Sequence, residues 1–109
     1  MGFKKLTAVI QCEVMEKVEK ALEGSGVSGI SVTHVKGYGD YADFYKSPPL
    51  VRHARIEIFI DDSRAVSTVK LIMEAAHTGL AGDGVVAVLP VEHLYRIRDK
   101  VEMQAEERG

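Results

Sequence analysis

Three glycines fall within six positions in the segment Thr78-Gly79-Leu80-Ala81-Gly82-Asp83-Gly84-Val85. Such spacing lets the backbone turn tightly and aim successive N–H groups at one point. A nest of this kind suits an anion, phosphate above all. The Gly-Lys-Ser/Thr ending of a Walker A loop is absent. Alone, the segment reads first as a plain helix-to-strand connection. Further along lies Tyr95-Arg96-Ile97-Arg98. In an extended segment Arg96 and Arg98 point to one side. Two neighbouring guanidiniums repel unless they share an anion, and arginine grips phosphate bidentately. A pair of solvated surface arginines is the ordinary explanation. Nest and arginine pair together point to a phosphate clamp.

Other chemistries find less support. Cys12 is the one cysteine, so a disulfide framework and a thiolate-rich zinc site are excluded within a single chain. Its place at the end of an apolar run reads as a buried, inert thiol. His34, His53, His77 and His93 lie on separate elements with no paired ligand spacing, so no metal site is assigned. His53 stands where it could help hold an anion or nucleotide. No Ser-His-Asp set or carboxylate pair emerges, no catalytic residue is assigned, and the chain is expected not to be an enzyme. The net charge of −2 gives no global pull toward nucleic acid or anionic lipid. No signal peptide or membrane-spanning stretch is legible, so a cytoplasmic location is expected.

These residues need elements to position them, and 109 residues suffice for one compact domain. Residues 3–11 read as a strand rich in β-formers. Val14, Val18, Ala21 and Leu22 then share one helical face, and Gly24-Ser25-Gly26 ends that helix. Residues 30–35 form a second strand running into Gly37-Tyr38-Gly39. From Asp40 to Leu50 no period survives, and four of the seven aromatics gather around this expected exposed loop. In Arg55-Ile56-Glu57-Ile58-Phe59-Ile60 the isoleucines share one face. Asp61-Asp62-Ser63 offers helix caps, and Ala65, Val69, Ile72, Met73 and Ala76 continue at helical spacing. Residues 85–89 form a short strand closed by Pro90. Residues 91–98 stay open between extended chain and a turn leading to a short strand, and 99–109 read as a polar, frayed tail with a helical turn.

The order β-α-β, loop, β-α-β predicts an α+β, ferredoxin-like βαββαβ sandwich, an antiparallel sheet with two helices on one face. Thr7, Val9, Glu57 and Phe59 would point to the uncovered face. Apolar groups there predict burial against other subunits.

The motifs Val32-Thr33-His34-Val35-Lys36-Gly37-Tyr38-Gly39, Thr78-Gly79-Leu80-Ala81-Gly82-Asp83-Gly84 and Arg96-Ile97-Arg98 occur together and in order. The chain thereby resembles the PII signal-transduction (nitrogen regulatory PII-like) family over residues 3–98. The resemblance implies a homotrimer that binds ATP or ADP in clefts between subunits and regulates a target, such as a membrane transporter or enzyme, through a long loop. That domain would span 1–98, with the exposed loop at about 39–52 and a tail at 99–109. By position, Gly37, Tyr38 and Gly39 would line the cleft, and Gly82, Asp83 and Gly84 would hold phosphates through the backbone. Arg96 and Arg98 would reach those phosphates from the adjoining subunit. Gly29, Ile30, Ser31, Glu57 and Phe59 would surround the adenosine. Tyr41, Phe44, Tyr45 and Lys46 are the loop candidates for contact with a partner or effector.

Two departures refine that expectation. Val85 stands where the family usually carries a phosphate-binding lysine, so ADP or AMP should be favoured over ATP. Asp40-Tyr41 stands in place of the glutamine that joins Mg-ATP and 2-oxoglutarate binding, and the loop is short. The combination is similar to divergent PII-like groups, some linked to bicarbonate handling and others to metal efflux. Bicarbonate is therefore a candidate co-effector. The competing reading is a ferredoxin-like small-molecule or metal-sensing module linked to metal efflux and not regulated by nucleotide. An RNA-binding domain of the same topology would want more exposed strand aromatics and a basic face.

Overall fold

The computed structural model describes residues 2–35, 52–80 and 82–105. Strands β1 (Phe3–Gln11), β2 (Ser31–Val35), β3 (His53–Asp61) and β4 (Gly84–Val91) form one sheet in the order β2-β3-β1-β4. Every neighbouring pair is antiparallel. Helix α1 (Met15–Gly24) follows β1 after a 3-10 turn at Cys12–Val14, and α2 (Asp62–Ala76) follows β3. This is the expected ferredoxin-like arrangement.

Alternation along the strands decides which face the helices cover. Leu6, Ala8 and Ile10 of β1 and Ala54, Ile56, Ile58 and Ile60 of β3 are buried. They meet Val18 and Leu22 of α1 and Ala65, Ile72, Ala75 and Ala76 of α2 in one core. Each large aliphatic side chain buried there contributes about 1.5–3 kcal/mol of transfer free energy. Arg64 of α2 donates from Nη2 to the Ser25 carbonyl at 2.9 Å, tying α2 to the turn after α1.

The intervening positions face the other way. Thr7 pairs across from Glu57, Lys5 from Phe59 and Val9 from both Arg55 and Val85. Phe59, Val85 and Leu89 are exposed in the single chain. The open face thus carries the apolar groups expected of it.

Three local features differ from expectation. Pro90 lies inside β4, opposite Lys4, instead of ending it. β4 is an edge strand bonded on one side, which is where a sheet tolerates proline. Asp61 makes no side-chain cap; the Asp62 N–H donates instead to the Gly2 carbonyl at 2.9 Å. Past β4 the chain forms a hairpin of β5 (Tyr95–Arg96) and β6 (Val101–Glu102), where the sequence predicts a frayed tail with a helical turn beginning at residue 99; residues 106–109 lie outside the described residues. Lys100 takes the left-handed φ of 58° that reverses the chain. His93 Nδ1 lies 2.5 Å from Glu102 Oε2 and fastens the hairpin's open end.

Candidate nucleotide site

The glycine loop begins where α2 ends. His77 is extended, and Asp83 then folds its carboxylate back onto the turn. Asp83 Oδ2 accepts from the N–H of Thr78 at 2.9 Å and of Gly79 at 3.3 Å, and Oδ1 accepts from the Thr78 hydroxyl. Burial favours the neutral acid, but the Thr78 hydroxyl, the two amides and nearby His77 together hold Asp83 below the ordinary carboxylate value. The aspartate therefore closes the loop on itself.

Two glycines are required by geometry. Gly82 has φ 88° and Gly84 φ 110°, both left-handed. A Cβ on Gly84 would stand 1.8 Å from the Val9 carbonyl oxygen. Only glycine lets β4 start this close to β1.

The Gly82 carbonyl is held from within. Gln11 Nε2 donates to it at 3.2 Å, and His53 Nε2 lies 3.2 Å from the same oxygen. A carbonyl only accepts, so His53 carries its proton on Nε2 in this contact. Reading the sequence missed Gln11, whose strand position marks it for the open face. The signal that could have found it is a polar residue directly after the apolar Val9-Ile10.

Val35, His53 and Gln11 lie in one row across the sheet. The segment between Val35 and Arg52 therefore leaves and rejoins the sheet at the end that holds the glycine loop. Gly37, Tyr38, Gly39, Tyr41, Phe44, Tyr45 and Lys46 lie outside the described residues.

The other expected residues gather elsewhere. Ser31 opens β2 opposite Glu57. Gly29, Phe59, Phe3 and Arg64 border one small hollow toward the far end of the sheet. Ile30 packs half-buried against the core. Glu57 is engaged by Lys5 Nζ at 2.6 Å and approached by Arg55 Nε at 3.3 Å. The hydrogen bond from Lys5 outweighs desolvation and, with the charges of Lys5 and Arg55, lowers its carboxyl. Arg96, in β5, pairs with Asp99 at 3.0 Å, and Arg98 stands in the hairpin turn.

A single chain does not bring the two groups together. β4 has eight residues between the glycine loop and the path to the arginines, a span of about 23 Å at roughly 3.3 Å per residue. Cys12 is half-buried, not buried as expected, with Sγ 3.7 Å from His34 Nδ1. Among the described residues, no group of three or more His, Cys, Asp or Glu could hold a metal ion. No helix among them is long and apolar enough to cross a membrane.

Fold and loop together define a ferredoxin-like protein with a glycine turn suited to an anion, and comparison places it within one family. The family model for nitrogen regulatory protein P-II matches residues 3–101. The nitrogen regulatory protein P-II of Azospirillum brasilense is 36% identical over 102 residues, covering 87% of this chain and 91% of that protein. Those of Cereibacter sphaeroides and Rhizobium meliloti are 34% and 33% identical with the same coverage. The crystal structure of Arabidopsis thaliana PII bound to citrate superposes with a TM-score of 0.81 at 29% identity, covering 94% of this chain and 90% of that one. The chain belongs to the nitrogen regulatory P-II family of signalling proteins.

Proposed function

We propose that this protein is a non-enzymatic, cytoplasmic P-II regulator that binds an adenine nucleotide between copies of a homotrimer. One observation carries the reading. The glycine loop precedes β4 and the Arg96–Arg98 hairpin follows it, so the two flank opposite ends of that eight-residue strand. A closed cyclic assembly repeats one heterologous interface, in which the loop of one copy meets the hairpin of the next. The exposed Phe59, Val85 and Leu89 supply an apolar face for that assembly.

In this site Gly82, Asp83 and Gly84 offer backbone to the phosphates, and Gly37, Tyr38 and Gly39 line the cleft. Arg96 and Arg98 of the neighbouring copy neutralise them, and Gly29, Ile30, Ser31, Glu57 and Phe59 enclose the nucleoside. Val85 places an aliphatic side chain on the open face beside Val9, so the last phosphate of ATP meets no cation there. ADP and AMP are therefore favoured. Tyr41, Phe44, Tyr45 and Lys46 contact the regulated target, a transporter or enzyme, and bicarbonate acts as co-effector.

Calorimetric titration with AMP, ADP and ATP, each with and without bicarbonate and 2-oxoglutarate, tests the proposal. One nucleotide per chain with ADP or AMP tightest is expected. Absence of binding under every condition would sink it, and ATP binding tightest would remove the role given to Val85.

A further inference from the structure

Gln11 and His53 are two polar side chains exposed by only 5% and 0%. They are direct partners across β1 and β3. Burying such groups is costly unless each is hydrogen-bonded, and here both converge on one oxygen, the Gly82 carbonyl, at 3.2 Å each. A carbonyl has two lone pairs, so it accepts both.

We infer that Gln11 and His53 are positioning residues for nucleotide binding, which aim the Asp83 amide outward by holding the Gly82 carbonyl inward. The inference rests on the nucleotide reading above. In a planar trans peptide, the C=O of one residue and the N–H of the next point in opposite directions. With the Gly82 carbonyl fixed toward the buried Gln11 and His53 side chains, the Asp83 N–H is turned away from them. Gly82 itself, at φ 88°, has no side chain to hold this orientation. The Asp83 carboxylate anchors the loop at Thr78 and Gly79, and the two buried donors hold the Gly82 carbonyl that shares a peptide plane with the Asp83 N–H. Neither side chain need touch the ligand.

The test uses three variants. Gln11→Met keeps volume but removes the donor, His53→Leu removes the other donor, and His53→Gln retains an N–H. ADP and adenosine affinities are measured for each. Gln11→Met and His53→Leu are expected to weaken ADP binding about fivefold to tenfold, the effect of one hydrogen bond. Adenosine affinity should stay unchanged, and His53→Gln should bind ADP like the parent. Unchanged ADP affinity in Gln11→Met and His53→Leu, or a parallel fall for ADP and adenosine, would overturn the inference. If His53→Leu does not fold, Gln11→Met decides alone.

A second readout separates this inference from the nucleotide reading. The Asp83 amide resonance is followed with inorganic pyrophosphate in the parent and in Gln11→Met. A shift in the parent that is lost in Gln11→Met supports the positioning role even if ADP itself does not bind. An equal response in both, or no response in the parent, overturns it.

Discussion

Charge at single positions should set affinity and nucleotide choice. Each charge-assisted hydrogen bond to phosphate contributes on the order of 1.5–3 kcal/mol. Arg96→Ala and Arg98→Ala should each weaken ADP binding by at least about tenfold in calorimetry; parent-like affinity in both would remove the hairpin from the site. Val85→Lys restores a cation on the open face beside the loop, and competition titration should show ATP gaining on ADP by about tenfold. Asp83 makes a pH prediction. Its carboxyl is held low when folded, so its contribution to stability is complete above the ordinary carboxylate pKa and is lost as pH falls through the folded value. Thermal melts of Asp83→Asn should lose less between pH 5 and pH 3 than those of the parent. Equal losses would mean that the Thr78 and Gly79 contacts contribute nothing.

The β1–β4 contact gives a sharper prediction at the scale of elements. The Gly84 Cβ position falls 1.8 Å from the Val9 carbonyl, and that atom is backbone, which cannot rotate away. Gly84→Ala should cost about 3 kcal/mol or more, read as a large drop in melting temperature, whereas Gly24→Ala, with open space at its Cβ, should not. Most elements were legible because burial follows a simple period. The isoleucines of β3 and the spacing of Val18 and Leu22 announce strand and helix directly. The hairpin was not legible, because Tyr95–Arg96 and Val101–Glu102 are too short to show alternation and expose nearly all their side chains. The glycine motif revealed the loop. Its internal closure by Asp83 joins residues only four or five positions apart, but its support by Gln11 and His53 from other strands depends on pairings as far as 71 positions apart, which local pattern cannot encode.

For the whole molecule, the proposed division of the site between neighbouring copies predicts complementation. A chain carrying Val85→Glu should repel phosphates at its loop, and a chain carrying Arg96→Ala with Arg98→Ala should fail at its hairpin. Each alone should bind ADP poorly. Unfolded and refolded together in equal amounts, they should recover about a quarter of the clefts, those in which an intact loop meets an intact hairpin. No recovery on mixing would place both halves of the site within one chain or sink the site itself.

The edge strand β4 carries a further consequence. Gly84–Val91 is apolar throughout, and one of its two sides is unpaired in the sheet. The single chain therefore presents a template on which another strand can grow, as in fibrillar aggregates. Pro90, the one residue of that strand with no N–H to offer, interrupts the template near its end. Replacing Pro90 by valine would restore that N–H and lengthen the strand edge open to such growth.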